Sequence, residues 1–154
     1  MKKLIIIILS IFLISNSNNF VSAAKTKKTH ILRTFKDGSY IEEQIRVSSS
    51  RLFSPTSIRY GHKTSTYKSR SGKTILTITV SGTFTYNGMS SKCIKSTVSA
   101  HCQNSNWKVK RKSARRHGST ATASATAAKY TNRVAVQTIK RSVSLSCSKS
   151  GKLS

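Results

Sequence analysis

Negative charge is what this sequence has least of. Its 154 residues include three carboxylate side chains, Asp37, Glu42 and Glu43, against 28 lysines and arginines. All three acids lie near the start, and from Gln44 onward the sequence holds 21 cationic side chains and no acidic one. Paired-carboxylate catalysis needs two acids facing one bond. Glu42 and Glu43 are neighbours on an expected strand and so point to opposite faces. A calcium site, which wants several oxygen anions, has too few to draw on. A Ser-His-Asp triad would have to recruit Asp37 from a turn. Metal-ligand spacing is missing too: His30, His62, His101 and His117 stand singly, and the three cysteines are far apart. No glycine loop of the phosphate-cradling kind occurs. The reading is a protein with no catalytic residues, no metal and no cofactor.

Proline and tryptophan occur once each, as Pro55 and Trp107, and no stretch has the period of a helix. The one long apolar run covers residues 4–14. Lys2 and Lys3 precede it, polar residues 15–19 follow it, and Ser22, Ala23 and Ala24 close the segment. A membrane span needs ~20 apolar residues, so this run is too short and has the layout of a secretory signal peptide cleaved after Ala23 or Ala24. The expected product is secreted, extracellular or cell-wall associated, with no membrane span after cleavage. Residues 1–24 are assigned to the signal and residues 25–62 to a basic tail, a hairpin and a loop. Residues 63–154 form the core of a single domain that includes residues 30–62.

What the sequence has in quantity is alternation. Leu76, Ile78, Val80, Phe84 and Tyr86 share one parity, while Thr77, Thr79, Ser81, Thr83 and Thr85 take the other. This marks a half-buried strand. Asn87-Gly88 turns it into a second alternating run ending at Cys102. Two shorter strands are expected before it, over residues 31–35 and 40–47, joined by Lys36-Asp37-Gly38-Ser39. Residues 48–62 read as a crossing loop with a short strand. After the polar turn at residues 103–106 comes a strand over residues 107–111, with Trp107 in the core, then a basic connection over residues 112–119. Ala121, Ala123, Ala125 and Ala127 alternate with Thr122, Ser124 and Thr126, which outweighs alanine's helix preference. Asn132-Arg133 reads as a turn or bulge before a last strand over residues 134–147. The fold class is all-β: a two-sheet antiparallel β-sandwich, immunoglobulin-like in outline.

Three cysteines in an exported chain suggest one disulfide and one remaining thiol. Parity puts Cys102 on a face with Ile94, Val98 and Ala100, and Cys147 on a face with Ile139, Val143 and Leu145. The favoured pairing is therefore Cys102 with Cys147. Cys93 with Cys147 is the alternative, because a bulge would flip the parity.

The segments GKTILTITVSGTFTYNGMSSKC, NSNWKVKRKSA, GSTATASATA and VSLSCSKSGKLS resemble those of small secreted Ser/Thr-rich β-sandwich proteins of Gram-positive, largely gut-dwelling bacteria. The resemblance covers residues 63–154 and rests on the Gly-Thr-Phe-x-Tyr-x-Gly segment, Cys93, Trp107 and the Cys147 segment. It implies an exported β-domain and assigns no site residues. Cys102 and the basic bias over residues 108–116 depart from the pattern. Ser-Leu-Ser-Cys147 faintly resembles the strand end of sortase-type transpeptidases, with His62 or His101 upstream, but no arginine follows it.

The positive signal is the run holding Lys108, Lys110, Arg111, Lys112, Arg115 and Arg116. Arginine grips phosphate or sulfate with two hydrogen bonds, and lysine acts as a point charge. The expected partner is an anionic polymer at a cell surface, such as teichoic acid or an anionic glycan, with non-specific nucleic-acid binding in vitro. Tyr40, Tyr60, Tyr67 and Tyr130 are available for stacking. The alternative is a cationic antimicrobial or toxin-like protein acting on anionic membranes, and a thiol enzyme ranks last.

Overall fold

The computed structural model describes residues 25–26, 29–52 and 56–154, and the export signal expected over residues 1–24 lies outside them. The described residues form strands and no helix. In the first sheet, β1 (Lys25–Thr26) and β2 (His30–Thr34) both pair with β3 (Tyr40–Leu52). It continues through β4 (Ser57–Lys68), β5 (Thr74–Tyr86) and β6 (Ser91–Cys102). The second sheet is β7 (Trp107–His117), β8 (Thr120–Thr131) and β9 (Val134–Ser146). All pairings are antiparallel, and from β3 onward each strand lies beside the next. The protein is a two-sheet antiparallel β-sandwich. Its connectivity is a meander that changes sheet between β6 and β7. An immunoglobulin domain instead carries Greek-key crossings, so the likeness ends at the two-layer architecture.

The core follows from the alternation. Leu76, Ile78, Val80 and Phe84 of β5 are buried, and so are Ala121, Ala123, Ala125 and Ala127 of β8. Large side chains on one sheet thus meet small ones on the other, which lets the layers close without voids. Trp107 is buried in the same cluster, as expected. Gly61 on β4 faces Gly82 on β5. A side chain at Gly82 would run into the Phe84 ring, and one at Gly61 into Leu153. Leu153 arrives from a fold-back after β9. Ser146 and Ser154 exchange two backbone hydrogen bonds of 3.0 Å, and Cys147 bridges Leu153. The Asn132-Arg133 turn has positive φ at both residues, 49° and 66°, as a tight hairpin requires.

Three expected boundaries move. The loop over residues 48–62 is mostly strand, because β3 runs to Leu52 and β4 starts at Ser57. Its period was hidden because Arg59 and Gly61 pair with the inward residues Phe84 and Gly82, so no apolar side chain marks the inner face. The basic connection over residues 112–119 is also strand: β7 extends to His117, and Gly118-Ser119 makes the turn. The tail at Lys25 and Thr26 pairs with β3.

Leu153→Ala is expected to cost about 2–4 kcal/mol through the cavity it leaves. Lys152→Ala, at an exposed position, is expected to stay within about 0.5 kcal/mol. Urea unfolding of the two variants checks this.

Candidate polyanion-binding surface

Every carboxylate of the chain is engaged. The Asp37 Oδ1 accepts hydrogen bonds from the Ser39 N–H at 3.0 Å and the Ser39 hydroxyl at 2.6 Å, which holds its carboxyl below the usual range. Tyr67 donates to the Ser39 hydroxyl at 2.9 Å, so this turn is tied to the core. Glu42 pairs with Lys68 at 2.9 Å and keeps that ammonium protonated to higher pH than usual. Glu43 points to the opposite face, inward, and pairs with Lys63 at 3.0 Å. Glu42 and Glu43 are thus neutralised within the first sheet, while Asp37 keeps its charge in the exposed turn between β2 and β3. No acidic side chain stands beside the cations of β6 or β7, and on β9 the cation that acts on an acid is Arg141, which helps to hold the Asp37 carboxyl low.

All six cations of the predicted run are exposed on β7, but they do not share one face. The pairing with β8 slips between Val109 and Arg111, making Lys110 the extra residue of a bulge. Directly paired residues lie on the same face of a sheet. Arg111 pairs with Thr126 and Arg115 with Thr122, which places both on the outer face. Lys112 and Arg116 pair with the buried Ala125 and Ala121, so they take the inner side of β7. There β7 borders β6 rather than the core, and the Arg116 Nη1 donates to the Ile94 carbonyl. Lys95, Ser96, Arg115 and Arg116 line a cleft of about 290 Å³ between the two strands. Lys108 and Lys110 hold their ammonium groups over the Tyr130 ring, each 5.8 Å from its centroid. Of the four tyrosines considered for stacking, Tyr130 is the one that stands beside this run.

The sequence reading missed how the outer face of the second sheet is furnished. Thr120, Thr122, Ser124 and Thr126 of β8 stand opposite Ser146, Ser144, Ser142 and Lys140 of β9. Hydroxyl pairs at 2.9 Å join Thr120 to Ser146 and Thr122 to Ser144. The result is a hydroxyl field flanked by Arg111 and Arg115 on one side and Lys140 on the other. Serine at 142 and 144 on the parity of Lys140 was the signal available for it.

The cysteines correct the expected disulfide. All three are free thiols. A bulge at Ile94, between the Thr83 and Phe84 pairings, turns Cys93 inward opposite buried Phe84. Cys102 pairs with Leu76 at the other end of β6. Nine strand residues separate Cys93 from Cys102, roughly 30 Å, while Cys147 hydrogen-bonds to Ser119 at the Cys93 end. A disulfide spans at most about 7 Å between Cα atoms, so Cys102 and Cys147 are not partners. Burial pushes all three thiols up, the opposite of an activated nucleophile. His62 bonds Ser81 on the outer face of the first sheet at 2.8 Å, and His101 pairs with Thr77 on that same face. Neither histidine meets Cys147. Among the described residues no group of three His, Cys, Asp or Glu side chains is placed to hold a metal.

No family model matches the chain, and no curated protein or solved structure proves similar to it. Its surface is therefore interpreted on its own chemistry.

In the reduced, native protein Cys102, which is half-buried, is expected to alkylate before Cys93 and Cys147. Because burial pushes its thiol pKa up, its rate should keep climbing into the alkaline range rather than level off near neutrality. Peptide mapping after timed iodoacetamide exposure measures both.

Proposed function

We propose that the protein is a secreted, non-enzymatic β-domain that binds anionic polymers at a cell surface. The observation that carries this reading is the segregation of charge. Glu42 and Glu43 are paired with Lys68 and Lys63, Asp37 is held in its own turn by Ser39, and the β6–β7 edge and the outer face of the second sheet keep cations with no acidic neighbour. Such a surface has a long-range attraction for polyanions that nothing nearby cancels. Arg111 and Arg115 present guanidinium forks from a rigid strand, suited to phosphate or sulfate groups. The adjoining threonine and serine hydroxyls offer donors to the same oxygens or to sugar hydroxyls. A repeating phosphate or sulfate polymer, teichoic acid or an anionic glycan, fits this set of groups.

Retention of the purified protein on Gram-positive cell walls, with and without teichoic acid, across a salt series tests the proposal. Retention is expected to depend on teichoic acid and to weaken with salt along a straight log–log line. Each cation removed from the contact is expected to lower that slope by about 0.7–0.9, the value for phosphates of nucleic acids. The triple replacement Lys108→Ala, Arg111→Ala and Arg115→Ala should therefore flatten the slope more than replacement of Lys36, Lys149 and Lys152. Equal losses would mean that the charge acts generically. Leakage from anionic vesicles would instead favour action on membranes.

A further inference from the structure

Cys93 and Cys147 come from different sheets and arrive at one turn. The Cys93 N–H donates to the Gly118 carbonyl at 2.8 Å, and the Cys147 N–H donates to the Ser119 carbonyl at 3.0 Å. Their backbones therefore bind carbonyls one peptide unit apart. Ser91, two residues before Cys93, donates its hydroxyl to the Cys147 carbonyl at 2.6 Å. Both cysteine side chains are 2% exposed and belong to the same apolar cluster. Burial pushes the Cys147 thiol up, and charge on Cys93 adds to that rise. A guanidinium acts on each in the opposite sense, Arg116 on Cys93 and Arg59 on Cys147. Burial outweighs both cations, so neither thiol is activated once the sandwich has closed. Nothing comparable surrounds Cys102, for which burial is the one influence.

We propose that Cys93 and Cys147 are a dithiol that a disulfide-bearing oxidant converts to an intramolecular bond, stapling β6 to the segment after β9 and leaving Cys102 as the free thiol. The thiolate of one cysteine attacks a sulfur of the oxidant, forming a mixed disulfide and releasing one reduced thiol. The second thiolate then attacks the protein sulfur of that mixed disulfide, forming the Cys93–Cys147 bond and releasing the second thiol. The two protons lost by the cysteines end on the two released thiols, so the protein is oxidised by two electrons and the oxidant reduced by two. Because both sulfurs are buried once the sheets meet, exchange takes place while the second sheet is still open. The expected export destination is oxidising, as such bonds require. The bond joins positions about fifty residues apart, and so removes much of the freedom of the unfolded chain.

The test is to refold the purified protein with reduced and oxidised glutathione, alkylate it, digest it without reductant and map the linked peptides. The expected result is one linkage, between the Cys93 and Cys147 peptides, with the label on Cys102. The Cys102→Ser variant should form the same bond, titrate with no free thiol, and lose about 10 °C of melting temperature on reduction. In the Cys93→Ser variant the reductant should produce no such shift. A linkage involving Cys102, or three labelled cysteines after refolding, overturns the assignment. So does a melting temperature in Cys102→Ser that is indifferent to reductant. The mapping uses the unaltered protein, so it decides the question even where a variant folds poorly.

Discussion

The structure depends on a size mismatch across its core. β5 contributes leucine, isoleucine, valine and phenylalanine, and β8 answers with four alanines. Two large stripes would hold the sheets apart, and two small ones would leave voids that cost stability. The same economy recurs at the Gly61 and Gly82 pair, where absent side chains make room for Leu153 and the Phe84 ring. The chain leans on this complementarity and on the apolar cluster around it, Trp107, Ile139, Val143 and Leu145 included, because ion pairs have little to add. It has three carboxylates for ion pairs and no helix among its described residues.

Charge is arranged around that core by exclusion. Glu43 and Lys63 form the ion pair nearest the interior, and Glu42 and Lys68 lie on the outer face of the same sheet. Beyond them Asp37, exposed in its turn, is the one remaining acidic side chain, and the other charged side chains are cations. Such a molecule repels itself, and added salt or a bound polyanion relieves the strain. Stability and ligand affinity are then linked through one field, since whatever neutralises the cations favours the folded state.

Much of the fold could be read in the sequence wherever an inner face was apolar. The Leu76 to Phe84 alternation and the alanine ladder announced β5 and β8, and Asn132-Arg133 announced its turn. Legibility failed where an inward position carried something other than a hydrophobe. Arg59 and Gly61 concealed β4, because their space is filled by side chains distant in sequence. Lys112 and Arg116 concealed the length of β7, because its inner side meets β6 and not the core. The cations of the predicted run were found residue by residue, but the bulge at Lys110 divides them between two faces. A bulge leaves no periodic trace in one sequence, and the one at Ile94 likewise turned Cys93 inward and altered the expected disulfide.

The fold-back that inserts Leu153 beside Gly61 sets an order of assembly. The first sheet can register itself from neighbouring hairpins, whose contacts are local and fast to form. Its inner face stays uncovered until the second sheet has been made, and the hollow at Gly61 waits for a residue more than ninety positions later. From the end of β6 to the arrival of β9, a chain growing from its N-terminal end is therefore a half-built sandwich with one greasy face open. Completion comes as a single late event rather than as a gradual accretion.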